Sequence, residues 1–341
     1  MSRIQFSHGY EDIISLENLL EAWKEFIIGK RSRKDTQEFS KNLLRNLLSL
    51  HRELENGEYK HSDYMAFNIS DPKPRQIHKA MVRDRVLHHA IYRKLYPFFD
   101  RTFIADSFSC RLNKGTHKVG LRFREFAKKV SRNNTRTCWV LKCDIRKFFA
   151  TIDHEVLLGI LANYIPDLGV MLLLEEIIDS FSITPGVGLP LGNLTSQIFC
   201  NVYMNEFDQF VKHRLKAKYY IRYADDFVLL SENKNWLEEH VPKMAEFLRC
   251  RLKLSLHPDK LFIKTFASGV DFLGWVHFPT HRVTRAVAAR RMLKRIEDNP
   301  TNDTLQSYLG MLSHGDGYRL SQKLLTSYSI ITDPNVLNLS D

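Results

Sequence analysis

Asp225 and Asp226 stand side by side between two short apolar runs, residues 219–223 and 227–230. Two such runs around a small acidic link predict a β-hairpin. Turn aspartates often bond the local backbone. That accounts well for one of the pair and less well for both, because adjacent carboxylates repel unless a proton or cation lies between them. A third acid, Asp144, ends the strand-like residues 138–145, where an unpartnered charge is costly. If that strand lies beside the hairpin, three carboxylates meet at one sheet edge. Oxygen donors without His or Cys favour Mg2+, with Mn2+ as a substitute. Two such ions about 3.5–4 Å apart suit in-line phosphoryl transfer. One would act on an attacking 3′-hydroxyl, the other on a triphosphate and its departing pyrophosphate.

The elements around these acids read as follows. Residues 11–28, 39–54 and 83–99 carry apolar side chains at helical spacing. Asp71-Pro72-Lys73-Pro74 interrupts them as an extended or turn segment. From residue 138 onward, strand-like runs (residues 138–145, 219–223, 227–230, 261–263 and 270–276) alternate with helical ones (residues 194–215 and 236–252). The pattern predicts an α+β layer, helices on a mostly antiparallel sheet. Beyond about residue 280 the chain reads as a small helical domain.

Composition narrows the partners. The 341 residues carry 50 Lys+Arg against 39 Asp+Glu, a net charge of +11. That excess suits an anionic partner, nucleic acid above all. Cys110, Cys138, Cys143, Cys200 and Cys250 are odd in number and lack zinc-site spacing, which points to free thiols in a reducing compartment. No apolar run approaches the ~20 residues that span a bilayer, and acids interrupt the N-terminus where a signal peptide would be apolar. The expectation is a soluble cytoplasmic protein with no membrane partner.

The motifs resemble those of reverse transcriptases. Tyr223-Ala224-Asp225-Asp226 is similar to the YxDD box, and Lys142-Cys143-Asp144 through Phe149 to the strand with the other metal-binding aspartate. Residues 188–197 resemble the box between them, and residues 254–260 and 272–275 the two that follow. Pro74-Arg75 and residues 107–117 resemble the early boxes of bacterial members. The resemblance implies a right-hand polymerase fold. Residues 1–137 would form the fingers, with 155–188 returning to them. Residues 138–280 would form the palm, with an antiparallel ferredoxin-like sheet, and residues 281–341 a helical thumb. The chain past Trp275 leaves room for a thumb only.

The resemblance also assigns Asp144, Asp225 and Asp226 to catalysis and metal binding. Phe149 falls at the sugar gate that would reject a ribose 2′-OH, a core aromatic being the alternative. Lys73 and Arg75 fall where fingers side chains touch the triphosphate. Leu191, Gly192 and Gln197 line the nucleotide, and Lys260 either protonates pyrophosphate or sits at the surface, to which the reading leans. Asp153 reads as a helix cap rather than a ligand. Leu191 before Gly192, and Ser196-Gln197 ending the box, resemble the enzymes of diversity-generating retroelements. Those copy a template RNA unfaithfully at adenines and bind a small accessory helical protein. Retron-type, antiphage or stand-alone group II intron-like enzymes are the alternatives, and an inactive RNA-binding protein is the other class.

Three basic stretches, residues 111–136, 212–222 and 282–295, read either as solvated faces or as a phosphate-tracking groove. Arg111, Lys114, Arg222, Arg285, Arg290, Arg291 and Lys294 are the expected contacts to template RNA and the cDNA/RNA hybrid, with dNTPs as substrates.

Overall fold

A computed structural model describes residues 4–69 and 74–332. Lys73, and the last nine residues assigned to the thumb, lie outside that range. Among the described residues no helix is long and apolar enough to cross a membrane.

Four helices come first, α1 (Tyr10–Ile14), α2 (Leu16–Phe26), α3 (Lys34–Lys41) and α4 (Leu43–Glu55). The single helix expected over residues 11–28 is broken at Ser15, whose hydroxyl accepts from Asn18 N and starts α2. A two-stranded hairpin follows, β1 (Met65–Ile69) and β2 (Arg75–Lys79), then α5 (Val82–Asp100) and α6 (Thr116–Val130). The sequence pattern missed this hairpin. Its strands are largely exposed, so neither carries the alternation that burial of one face imposes.

The central layer runs β3 (Trp139–Asp144), α7 (His154–Ala162), α8 (Leu168–Asp179), α9 (Leu194–Gln209), β4 (Tyr220–Tyr223), β5 (Asp226–Ser231), α10 (Lys234–Leu252) and β6 (Phe262–Thr265). The sheet order is β4-β5-β3-β6, every pair antiparallel. With α9 and α10 as the two crossovers, this is the βαββαβ topology of the ferredoxin-like palm. Both faces of the sheet are covered. Leu141, Cys143, Phe227 and Leu229 join a core that continues through α7–α10 into the N-terminal helices. Val140, Val228 and Leu230 pack instead beneath Phe123, Phe126 and Ala127 of α6. A strand buried on both sides has no polar face, which is why residues 138–145 read as a nearly continuous apolar run.

Residues 270–276 are two strands rather than one, β7 (Val270–Phe272) and β8 (Trp275–His277), turning at Leu273 and Gly274 with φ of 49° and 91°. β8 then pairs with β9 (Arg282–Thr284). The palm–thumb boundary drawn at residue 281 therefore falls inside a three-stranded sheet. Helices α11 (Ala286–Asp298), α12 (Asn302–Leu312) and α13 (Tyr318–Thr332) form the C-terminal bundle around Met292, Ile296, Leu305, Leu312 and Leu324.

Arg282, which begins the third basic stretch, is buried. Its Nε donates to the His314 carbonyl at 2.6 Å, and its guanidinium lies 4.7 Å from the centre of the Trp275 ring. It ties the α12–α13 loop to β8. The glycine in that loop is required by space: a Cβ on Gly315 would come 2.3 Å from Trp275 Cζ3 and 2.9 Å from the Arg282 carbonyl. Gly315→Ala should therefore loosen the bundle from the palm at a cost of about 1–3 kcal/mol. Limited proteolysis should then cut residues 313–317 faster than in the wild type. An unchanged cleavage rate would show that this loop does not fix the bundle.

Candidate active site

Period-two alternation along β3 sends Val140, Lys142 and Asp144 to one face of the sheet. On β5 the same rule groups Asp226, Val228 and Leu230. Antiparallel pairing places Asp144 directly opposite Asp226. Val140 and Val228 are sealed under α6, so the acids lie at the end of the face where that cover stops. Asp225 occupies the hairpin turn, and its carbonyl accepts from Ile145 N at 3.2 Å. Asp144 and the adjacent pair Asp225–Asp226, from distant parts of the chain, thus lie at the rim of one sheet.

The turn is held by a buried ion pair. Tyr223 pairs with Asp226, leaving Ala224 and Asp225 as the loop, with Ala224 at φ 54°. A left-handed alanine costs roughly 1–2 kcal/mol. The Ala224 carbonyl accepts from Arg222 Nη1 at 3.1 Å. The same guanidinium grips Asp208 with Nε at 2.8 Å and Nη2 at 2.8 Å, and Tyr220 OH donates to Asp208 at 2.7 Å. Both charged side chains are almost wholly buried. Arg222 is therefore not a nucleic-acid contact: at 1% exposure its charge is spent inside the protein.

Electrostatics at the rim are unbalanced. Burial pushes Asp225 up to about 6, with Asp226 and then Asp144 adding to the shift. Burial raises Asp226 as well, and Lys142 partly offsets this. Two ammonium groups approach. Lys260 Nζ is 2.8 Å from Asp144 Oδ1, and Lys142 Nζ is 3.4 Å from Asp226 Oδ1. Lys260 thus reaches the acids from a side chain that is still partly at the surface, where the sequence reading leaned. Among the described residues, no three His, Cys, Asp or Glu side chains already converge as a metal cage. The donor set is nonetheless all carboxylate, and Asp226 Oδ1 is buried without a hydrogen bond. Hard oxygen donors of this kind fit a divalent ion.

The wall expected to line the nucleotide is assembled from two regions. His78 N donates to the Leu191 carbonyl at 3.0 Å, and Asn193 Nδ2 donates to the His78 carbonyl at 2.9 Å. Gly192 has φ 108°, and a Cβ there would lie 2.8 Å from Ile77 Cγ2, so the β2 strand can approach only a glycine. Leu189 N donates to the Phe149 carbonyl at 2.8 Å, which ties Phe149 to the segment just before Leu191. Its ring is half-buried against Phe148. Gln197 is half-buried in the first turn of α9, and Arg75 is exposed at the start of β2. Asp153 caps α7 by accepting from Val156 N at 3.0 Å.

The expected nucleic-acid contacts divide. Arg111 is buried against Asp100 and the carbonyls of Ile104 and Ser107, so it is a structural residue rather than a phosphate contact. Lys114 folds back onto the Ala105 carbonyl and the Phe108 ring. Arg285 pairs with Asp271. Arg290, Arg291 and Lys294 are exposed on α11. Spacing and composition assigned no role to Lys142, Asp208 or His78. Lys142 carried a readable signal, a charge two residues before Asp144 in a strand otherwise fit for burial. Asp208 and His78 carried none, since their partners lie elsewhere in the chain.

Residues 68–277, which contain this site, match the family model described as reverse transcriptase (RNA-dependent DNA polymerase). The chain belongs to the reverse transcriptase family. Protein YkfC of Escherichia coli is 26% identical over 254 residues, covering 63% of this chain and 65% of YkfC. The group II intron-encoded protein LtrA of Lactococcus lactis is 21% identical over 263 residues, covering 56% of this chain and 42% of LtrA. The chain thus spans just under two thirds of one relative and less than half of the other. A telomerase from Candida albicans, solved with a fragment of telomeric RNA, shares the fold at a TM-score of 0.50 and 11% identity, covering 78% of this chain and 54% of that one. The right-hand polymerase fold is therefore the fold of this reverse transcriptase.

Two outcomes follow from the geometry. Asp208→Asn breaks the buried pair and leaves Arg222 uncompensated, so unfolding free energy by denaturant titration should fall by about 3–5 kcal/mol. A loss near zero would mean that the pair does not hold the turn. Asp225 binds its proton more tightly folded than unfolded. Without divalent cations its charge therefore destabilises the fold above about 6, and the penalty is relieved as pH falls toward 3.8. In EDTA at neutral pH, Asp225→Asn should melt a few degrees above the wild type, and the gap should close in acid. A gap that does not change with pH would contradict this.

Proposed function

We propose that this chain is an RNA-directed DNA polymerase of a diversity-generating retroelement, copying a template RNA into cDNA with errors at template adenines. The observation that carries the reading is Leu191. Its backbone is tied to β2 and its neighbour Gly192 is packed under Ile77. An aliphatic side chain at that point can pack against an incoming nucleotide but cannot hydrogen-bond to it. Weaker positioning shrinks the difference between right and wrong transition states, and discrimination is that difference.

Asp144, Asp225 and Asp226 would hold Mg2+, or Mn2+ in its place, supplying positive charge for attack of a 3′-hydroxyl on a dNTP. Lys260, within reach of Asp144, would donate a proton on the pyrophosphate side. Phe149 would exclude a ribose 2′-OH. Arg75, with Lys73, would meet the triphosphate, and Gln197 would lie behind the base. The exposed Arg290, Arg291 and Lys294 of α11 would follow the backbone of the cDNA/RNA hybrid, a contact that tolerates any sequence. Residues 1–137 with 155–188 serve as fingers in this reading, and the bundle from α11 onward as thumb. A small accessory helical protein and a cytoplasmic setting complete the proposal.

The likeness to LtrA favours a second reading, a faithful stand-alone enzyme of the group II intron-like type. Primer extension on an RNA template with Mg2+, followed by sequencing of the cDNA, separates the two. Errors concentrated opposite adenine are expected, and Leu191→Gln should reduce them. Faithful copies would support the second reading. Absence of extension that matches Asp225→Ala and Asp226→Ala controls would leave only an RNA-binding protein.

A further inference from the structure

Lys142 is the one side chain on the acidic face of β3 that the reading above does not use. It sits in the central strand of the sheet, at 8% exposure, between Val140 and Asp144. A lysine is rarely so buried unless it is paired. Among the described residues, its ion-pair partner is Asp226, at 3.4 Å. Register explains the contact. Lys142 faces Val228 across the β3–β5 ladder, and Asp226 lies two residues along from Val228 on the same face. A long side chain reaches that diagonal neighbour.

The second ammonium at the rim differs in kind. Lys260 ends a single 3-10 turn, its side chain is 43% exposed, and it meets Asp144 from outside the sheet. A divalent cation arriving at Asp144 can displace such a group into solvent at little cost. Lys142 has no such exit, because its strand is paired on both sides and its stem is enclosed.

We propose that Lys142 is a resident counter-ion of the catalytic carboxylates, holding Asp226 through Oδ1 and opposing divalent cations. This inference rests on the assignment of Asp144, Asp225 and Asp226 as the metal site. In the free protein Lys142 offsets the repulsion among three carboxylates crowded at the sheet rim. When metal binds, its fixed charge remains and weakens the affinity. Asp144 and Asp225 then carry most of the ligation, and Asp226 has one oxygen engaged by the lysine.

The test is Mn2+ binding to the full chain without nucleic acid, read as free Mn2+ by electron paramagnetic resonance. Lys142→Met removes the charge and keeps the length of the side chain. It should bind Mn2+ about tenfold or more tightly, since one unit charge a few ångströms from a divalent ion is worth at least that even in high dielectric. Lys142→Arg keeps the charge and should bind close to wild type. The methionine variant should also gain more in melting temperature from added Mn2+ than the wild type does. Lys142→Gln, likewise neutral, is read in the same way should the methionine variant fold poorly. Neutral variants that bind Mn2+ no more tightly than wild type would overturn the proposal. Asp225→Ala is the separate control: if it retains wild-type Mn2+ binding, the metal assignment has failed rather than the role of Lys142.

Discussion

Repulsion among three carboxylates is the constraint around which the palm is arranged. Asp144 and Asp226 are forced to face each other by antiparallel pairing, and Asp225 follows in the turn. Left alone, three such groups at a partly buried rim would take up protons, as the raised Asp225 and Asp226 show. The protein answers with two cations from different directions. One rises from within the sheet and the other from a short turn beyond α10. The same tension underlies the proposed metal site, because repelling carboxylates are relieved by a divalent cation between them.

Holding the acids in place requires rigid surroundings. The hairpin turn puts an alanine in the left-handed region, and the guanidinium of Arg222 bonds its carbonyl. That guanidinium is in turn fixed by Asp208 on α9. Helix, strand and turn are thereby coupled through one buried ion pair. Such pairs contribute little net stability against an apolar replacement, but they are costly to break on one side. Here the pair joins the turn that carries Asp225 to α9.

Fingers and palm are likewise joined by backbone rather than by side-chain packing alone. The β2 strand bonds to the turn at Leu191 and Asn193, and Gly192 admits it. At the other end of the palm, Arg282 and Trp275 hold the α12–α13 loop. Each of these two junctions depends on a glycine with no room for a side chain.

The amino-acid sequence by itself determined the motifs, their order, the alternation of helix and strand in the palm, and the three aspartates. These are local properties, written in spacing and composition. It could not tell which basic residues face solvent. Arg111, Arg222 and Arg282 look like their exposed neighbours in the chain, yet the side chain of each is enclosed by a partner on another element, Asp100, Asp208 and the His314 carbonyl. The β1–β2 hairpin escaped notice because exposed strands need no apolar period. Lys142 was quoted within a motif without a role, since only pairing of β3 with β5 brings it to Asp226. Burial and ion pairing are decided by contacts between distant segments, and the tertiary structure alone supplies those.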